Sequence, residues 1–228
     1  MKIETANHLL PHNRESFKLL MEMKDQFKTL LDIGAGERSP FDKVLVEAGV
    51  EVETVDLLPS ATHTGDYMDL KIDKKYDAIL CYNCAEHQLN LNSFLSKLQE
   101  NLKDDGILAI SVPIWKDRIV DGHIVAFPNA GLFLYNLIMA GWDCSNAKVS
   151  TLTISDPPPE KIFEEQIAVI IKGAKIVDFP KDLSLGKGDL GRLKQFFPEE
   201  IRERMTEGKD ESFEGIIGNL RINWSSKW

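Results

Sequence analysis

Two glycines lie at the junction of a predicted strand and a predicted helix, in the stretch KTLLDIGAGERSPFDKVL (residues 28–45). Gly34 and Gly36 have no Cβ, so the backbone at these positions can come close to a ligand. Asp56 lies near the end of the next predicted strand, and a carboxylate there can accept hydrogen bonds from both hydroxyls of a ribose. The glycines alone also fit a tight strand-to-helix turn without a ligand, but together with Asp56 they predict a nucleotide site.

The residues around the glycines distinguish two classes of nucleotide. The dinucleotide fingerprint GxGxxG needs a third small residue for close packing, and this sequence has Ser39 there instead of glycine. Asp32 lies inside the strand just before the turn. A carboxylate there is unfavourable beside a pyrophosphate but suits a ligand that carries an amino group. S-Adenosyl-L-methionine has an ammonium group and a sulfonium and no phosphate, so the pattern favours it over a nicotinamide dinucleotide.

Apolar patterning predicts the elements that position these residues. Strands are predicted at 29–33, 50–58, 75–83 and 107–113, and helices over part of 7–28 and at about 40–48, 90–103 and 129–140. Ser39 followed by Pro40 is a strong start signal for the helix at 40–48. Strands that alternate with helices predict an α/β fold, doubly wound, with helices on both faces of a mostly parallel sheet.

The last third of the chain has a different pattern. Two β-rich stretches at 147–154 and 166–171 predict a closing, hairpin-type pair, and a helical piece is expected near 189–206. Residues 173–228 contain too few apolar side chains for a second core. We therefore divide the chain into an N-terminal helical segment (1–28), a cofactor-binding domain (29–172) and a C-terminal appendage (173–228).

Composition restricts the classes of partner. The 228 residues are 43% hydrophobic and 28% charged, as expected for a globular domain with a full core. The formal net charge is −9, which is unfavourable for nucleic acid because binding to phosphates favours a basic face. No apolar run reaches the roughly 18 residues of a membrane span, and the N-terminus has no apolar signal segment. We expect a cytoplasmic protein without a nucleic acid or membrane partner.

Cys81 and Cys84 form a CxxC pair at the end of a predicted strand. A zinc site would need a second pair or histidines at a matching spacing, and the sequence around the pair has neither. A thioredoxin-like redox pair is the alternative. We interpret the two residues as free thiols packed around the strand end, and we predict no metal site.

Four segments together resemble the class I S-adenosylmethionine-dependent methyltransferases of the type 11/23-like group. They are LLDIGAGERS, VDLLP, GDYMDL and the stretch that begins YDAILCYNCAEHQLN and ends ILAISVP, all within residues 28–113. The resemblance implies a sheet of seven strands, in which Gly34, Ala35 and Gly36 line the methionine part of the cofactor beside Asp32. The other cofactor-binding residues that it implies are Asp56 and Leu57 at the ribose, Asp66 and Tyr67 at the adenine, and Tyr82 and Asn83 near the amino acid end.

Two histidines are the catalytic candidates. Methyl transfer to a hydroxyl requires an acceptor held in line and is helped by a general base. His123 lies in the loop after the strand at 107–113, where such enzymes usually place residues that face the acceptor. His87 follows Glu86 at the mouth of the site, where it either contacts the substrate or belongs to the scaffold. A histidine bonded to backbone in an ordered loop is the alternative for both.

These observations predict a methyltransferase that uses S-adenosyl-L-methionine to methylate a small-molecule or glycan-type acceptor, by O-methylation. An inactive module that binds the cofactor or a protein partner is the alternative from another class. A nicotinamide-dependent oxidoreductase is a further alternative.

Overall fold

The structure, a computed structural model, describes residues 14–37, 40–113, 122–154, 164–173, 176 and 193–207. Its α-helices are α1 (Arg14–Glu22), α2 (Pro40–Glu47), α3 (Leu91–Asn101), α4 (Ala130–Met139) and α5 (Glu199–Glu207). Its strands are β1 (Thr29–Ile33), β2 (Glu51–Asp56), β3 (His63–Thr64), β4 (Tyr76–Tyr82), β5 (Leu102–Pro113), β6 (Lys148–Ile154) and β7 (Glu164–Lys172). Short 3-10 helices lie at Lys24–Gln26, Ala85–His87 and Lys194–Phe196.

The strands form one sheet in the order β3-β2-β1-β4-β5-β7-β6. Strands β1 to β5 are parallel to one another, and β7 runs antiparallel to both β5 and β6. The predicted seven-stranded, mostly parallel α/β sheet is therefore confirmed. The strand order reverses at β1, which lies between β2 and β4, and ligands of open α/β sheets bind at the carboxyl ends of the strands around such a point.

Alternate residues of the central strands contact two hydrophobic layers, as the period of two in a β-strand requires. Leu30, Ala78 and Leu80 pack in one buried cluster with side chains of α1 and α2, including Phe17 and Phe41. The intervening residues, such as Leu31 and Ile79, belong to the other cluster, which includes Phe94 of α3 and Phe133 of α4. The sheet is thus covered on both faces, which is the doubly wound arrangement that the sequence predicts.

Several strand boundaries differ from the prediction by a few residues, and two of the differences concern the site and its neighbouring strand. Strand β2 ends at Asp56 rather than at residue 58, because the Asp56 carboxylate accepts a hydrogen bond from the Leu58 N–H and closes a turn there. Strand β5 begins at Leu102 rather than at residue 107. Leu102 pairs with Tyr76 and Ile107 pairs with Ala78, so the residues between the predicted helix and the predicted strand form an irregularity within β5. The predicted N-cap residue Ser39 lies outside the described residues.

Four described residues of the C-terminal part of the chain contribute to the core. Ile176, Leu193, Phe197 and Ile201 are buried in the same cluster as α3, α4 and the sheet. The division of the chain at residue 172 stays a prediction. None of the helices in the described part of the chain is long and apolar enough to cross a membrane.

Candidate active site

The glycine turn is hydrogen-bonded to the end of β2. The N–H groups of Gly34 and Ala35 donate to the Val55 carbonyl at 2.9 and 3.3 Å, and the Gly36 N–H donates to Asp56 Oδ2 at 2.8 Å. Gly34 has a φ of +80°, and a Cβ added to it would lie 2.8 Å from the Cβ of Cys84. Gly34 is therefore required both by backbone conformation and by close packing, as predicted for a tight turn.

Both carboxylate oxygens of Asp56 accept hydrogen bonds from the backbone at the edge of the sheet. Oδ2 accepts from the Gly36 N–H at 2.8 Å, and Oδ1 accepts from the Leu58 N–H at 3.0 Å. A carboxylate has about four acceptor positions, so each oxygen can accept a further hydrogen bond. The side chain is half-buried and lines the cleft at this edge. It can therefore bind two adjacent ligand hydroxyls without giving up its backbone contacts.

Asp66 and Tyr67 follow β3, on the same side of the switch point. Asp66 is exposed at the cleft, and its Oδ1 accepts from the Met68 N–H at 2.9 Å. The Tyr67 hydroxyl points into the protein instead, where it donates to Asn101 Oδ1 at 2.9 Å. Burial raises the pKa of Tyr67 above its usual range. Tyr67 therefore presents ring surface to the cleft, and Asp66 presents a charge.

Asn83 directly follows β4 and has the one positive φ, 43°, among the described non-glycine residues. Its N–H donates to the Ser111 carbonyl at 3.1 Å, which holds it in this conformation. Its side-chain Oδ1 is buried and has no hydrogen-bond partner among the described residues. Asn83 lines the cleft. A buried acceptor without a donor, beside a cleft, is typical of a ligand contact.

These residues surround a cleft of about 800 Å³, within the usual range for small-molecule sites. Six of the ten predicted cofactor-binding residues line it: Gly34, Asp56, Leu57, Asp66, Tyr67 and Asn83. The other four, Asp32, Ala35, Gly36 and Tyr82, are not among the lining residues. Ala35 and Gly36 continue the turn that Gly34 begins.

Asp32 and Tyr82 lie behind the turn. Asp32 is buried and shares the strand face of Leu30, two residues earlier, which packs toward α1 and α2. The Tyr82 ring packs on Phe41 of α2, with 5.4 Å between the ring centroids. The period of two along each strand directs both side chains to the α1 and α2 face, away from the cleft lining.

The two predicted catalytic histidines lie side by side, with 4.8 Å between their ring centroids. His87 is 40% exposed and lines the cleft, whereas His123 is 15% exposed. The Nε2 atom of each ring is 4.0 Å from Oε1 of Glu86. Glu86 is 1% exposed, and burial raises its pKa to about 7. The structure therefore brings together His87, His123 and a buried acid that sequence reasoning mentioned but did not select.

Other lining residues were missed by sequence reasoning. Leu89 and Ile124 are apolar yet 90% and 53% exposed, and both line the cleft. Cys84 lines it as well and is a free thiol, like the buried Cys81 beside it at the end of β4. Contact with Cys84, together with complete burial, raises the pKa of the Cys81 thiol. The only signal for these residues in the sequence is that they follow β4 or β5.

The geometry of the turn restricts the kind of nucleotide that the site can bind. Pyrophosphate sites use backbone N–H groups of the glycine turn and of the helix that follows it. Here the N–H groups of Gly34, Ala35 and Gly36 are already bonded to the end of β2. The carboxylates of Asp56 and Asp66 and the Oδ1 acceptor of Asn83 remain on this side of the cleft, and these groups suit hydroxyl and ammonium donors.

Comparisons with known proteins agree with this description. A family model described as a methyltransferase domain matches residues 6–137, more than half of the chain. A 1,6-didemethyltoxoflavin-N1-methyltransferase from Burkholderia thailandensis, solved with 1,6-didemethyltoxoflavin and S-adenosylhomocysteine, is similar with a TM-score of 0.53 and 18% identity, over 72% of this chain and 78% of that chain.

S-Adenosylmethionine-dependent methyltransferases from two other organisms are similar as well. The protein from Archaeoglobus fulgidus has a TM-score of 0.51 and 17% identity, over 76% of this chain and 98% of that chain. The protein from Clostridium acetobutylicum ATCC 824 has a TM-score of 0.51 and 12% identity, over 75% of this chain and 95% of that chain. At these identities the similarity concerns the fold. No curated protein matches the chain.

Proposed function

The chain belongs to the methyltransferase domain family, and from this premise we propose that it transfers the methyl group of S-adenosyl-L-methionine to a hydroxyl of a small-molecule or glycan-type acceptor. The observation that carries the proposal is the cleft at the switch point. Acidic residues after β2 and β3 line one side of it, and His87 and apolar side chains after β4 and β5 line the other. One cleft thus combines a nucleoside site and an acceptor site.

The cofactor side fits S-adenosyl-L-methionine by its donor and acceptor pattern. Asp56 holds the ribose hydroxyls, and Asp66 and the ring of Tyr67 border the adenine. The buried, unbonded Oδ1 of Asn83 accepts from the ammonium group of the methionine part, beside the turn of Gly34. The other four predicted residues support the cofactor side indirectly. Ala35 and Gly36 form the turn, and Asp32 and Tyr82 lie in the layer behind it.

Methyl transfer and the loss of the acceptor proton are proposed to occur on the acceptor side of the cleft, which His87 lines. When bound, S-adenosyl-L-methionine supplies a methyl group that is open to in-line attack. In the overall reaction an oxygen–carbon bond forms, the sulfur–carbon bond breaks, and the acceptor hydroxyl loses its proton. His87 and His123 orient this hydroxyl and assist the loss of its proton, since His87 lines the cleft and His123 packs against His87. Much of the rate in such a transfer comes from holding the two reactants in line.

A small acceptor fits the surroundings better than a macromolecule. The exposed apolar side chains of Leu89 and Ile124 line the same cleft as His87, so an acceptor with an apolar or ring face would bury them. The net charge of −9 is unfavourable for nucleic acid. The neighbour from Burkholderia thailandensis holds a small molecule together with S-adenosylhomocysteine in the same fold.

Two measurements test the proposal. S-Adenosylhomocysteine should bind the full chain and raise its melting temperature, whereas NAD should do neither. Methyl transfer from labelled S-adenosyl-L-methionine should then be screened over sugars, nucleotide sugars and small hydroxylated metabolites. A protein that NAD stabilises and S-adenosylhomocysteine does not would refute the cofactor assignment, and transfer only to amines would refute the O-methylation.

Variants of the two histidines test the acceptor side. His87→Ala and His123→Ala should leave the Kd of S-adenosylhomocysteine within about twofold and reduce turnover by roughly 10²- to 10⁴-fold, the usual range for a group that assists proton loss. The matched control is His63→Ala. His63 also lies 2.7 Å from a glutamate, Glu53, but it is not a lining residue of the cleft. Wild-type turnover in both variants would remove the histidines from the mechanism.

A further inference from the structure

Glu86, His87 and His123 form a preorganised cluster at the carboxyl ends of β4 and β5. Glu86 and His87 lie on the 3-10 helix after β4, and His123 lies in the segment that leads from β5 to α4. The Glu86 carbonyl accepts from the N–H groups of Ile124 and Val125 at 2.8 and 3.0 Å, which ties the two segments together. One nitrogen or oxygen atom from each of the three side chains lies within 4.8 Å of the other two.

The Glu86 carboxylate lacks the partners that a buried acid needs. It is 1% exposed, and neither of its oxygens has a hydrogen-bond partner among the described residues. Burying a carboxylate without hydrogen bonds or an ion partner costs several kcal/mol. The two nearby Nε2 atoms, at 4.0 Å, are beyond the range of a direct hydrogen bond. A positive ion between the Glu86 carboxylate and the two Nε2 atoms would supply the ion partner that the carboxylate lacks.

The hydrogen bond at the far side of His87 determines which of its nitrogens carries the proton. His87 Nδ1 lies 3.2 Å from the Gly122 carbonyl oxygen, which can only accept, so the proton of the neutral ring is on Nδ1. Nε2 then presents its lone pair toward Glu86. A backbone carbonyl that holds the Nδ1 proton is the usual support of a histidine whose Nε2 binds a metal ion.

We propose that Glu86, His87 and His123 bind a divalent first-row transition metal ion, zinc or a close relative, through one carboxylate and two imidazole donors. Two histidines and one glutamate are a common donor set for zinc and for other first-row ions. Bonds of about 2.0–2.2 Å bring ligand atoms to roughly 3–3.5 Å from one another. The ligand atoms, now 4.0 to 4.8 Å apart, therefore need to close by roughly 0.5–2 Å, and His87, the least buried of the three side chains, can make most of this movement.

The position of the cluster suggests what the ion does, and this part rests on the proposed function. Three protein ligands leave coordination positions open, and His87 and Ile124 line the cleft. An acceptor hydroxyl can occupy an open position, where the ion lowers its pKa and fixes its direction. The proton passes to solvent, and the oxygen then takes the methyl group from the sulfonium.

Cobalt(II) alone is the probe, added to the full chain after chelator treatment and in the absence of cofactor and acceptor. Calorimetry and the visible d–d absorption should report one ion per chain. Glu86→Gln, His87→Ala and His123→Ala should each weaken cobalt binding by about 100-fold or more. Even residues that only hydrogen-bond a metal ligand cost about 10- to 100-fold when they are replaced. His63→Ala is the matched control, since it removes a histidine beside a glutamate elsewhere, and it should bind cobalt like the wild type.

The exposed His87 keeps the test decisive if the buried Glu86→Gln variant does not fold. Cobalt binding that is absent, or that His87→Ala leaves unchanged, would overturn the proposal. Thiolate-to-cobalt charge-transfer bands that vanish in Cys84→Ser would overturn it too, because they would place the ion on the CxxC pair. S-Adenosylhomocysteine binding is measured in parallel. If S-adenosylhomocysteine binds normally and cobalt does not bind, only the metal ion is removed and the histidines remain as direct bases. If S-adenosylhomocysteine does not bind, the result counts against the proposed function instead.

Discussion

Replacing Asp56 by alanine should weaken the binding of S-adenosylhomocysteine by about 10- to 100-fold. Hydrogen bonds to a charged group contribute about 1.5–3 kcal/mol, and each 1.4 kcal/mol is a factor of ten in Kd. The half-buried position of Asp56 supports the lower part of this range, because solvent competes for an exposed carboxylate. The Kd is measured by calorimetry on the purified full chain.

Two roles of Asp56 contribute to this loss and can be separated. Its oxygens bond the N–H groups of Gly36 and Leu58, so the alanine variant also loosens the turn. That effect appears as a lower melting temperature without ligand. The contact with the ribose is isolated by a double-mutant cycle between Asp56→Ala and 2′-deoxy-S-adenosylhomocysteine. If the carboxylate holds the 2′-hydroxyl, removing that hydroxyl should weaken binding in the wild type and not in the variant.

Asp73→Asn is the matched control for charge. Asp73 is an exposed aspartate, 81% accessible, whose ion pair with Lys71 lies outside the cleft lining. It should keep the wild-type Kd, because an exposed ion pair of this kind contributes little. An Asp56→Ala variant with an unchanged Kd, or a deoxy analogue that weakens both proteins equally, would mean that the ribose lies elsewhere.

Two further predictions concern stability and can be measured by urea denaturation. Gly34→Ala should unfold more easily than Gly36→Ala, because both have positive φ but only the new Cβ at residue 34 meets Cys84, at 2.8 Å; equal losses would contradict the packing role. Partial burial opposes ionisation of Glu53, yet hydrogen bonds from Lys74 and two other side chains lower its pKa to about 2. Glu53→Gln should therefore lose about 1–2 kcal/mol at pH 7, and the difference from wild type should vanish as the pH falls from about 4.5 to 2; a constant difference over this range would refute the assignment.

The glycine turn and the position of Asp56 could be predicted because their signals are local in the sequence. An apolar run before two glycines and an acid at the next strand end give the turn of Gly34 and the position of Asp56, as found. The seven-stranded, mostly parallel sheet also agreed with prediction. The family resemblance did not give the direction of single side chains. Period-two alternation in fact sends Asp32 to the face of Leu30, and burial turns the Tyr67 hydroxyl to Asn101.

Three features were hidden from the sequence, each for a different physical reason. An acidic residue in a loop is normally solvated, so nothing in the sequence indicates that Glu86 is 1% exposed. Strand β3 has only two residues, which is too short for a periodic signal. Asn83 has a positive φ, which asparagine tolerates well but which no pattern in this sequence required.

The cluster of Glu86, His87 and His123 follows from topology rather than from spacing. Because β4 and β5 are parallel neighbours, the residues that follow each of them must meet at the same edge of the sheet. The residues that follow β2 and β3 meet on the opposite side of β1. The fold therefore separates two sets of side chains that can vary independently. Substitutions at the end of β2 and after β3, such as Asp56→Ala, should alter the affinity for the cofactor, whereas those within the cluster of Glu86, His87 and His123, such as His87→Ala, should alter turnover and cobalt binding with the cofactor affinity unchanged.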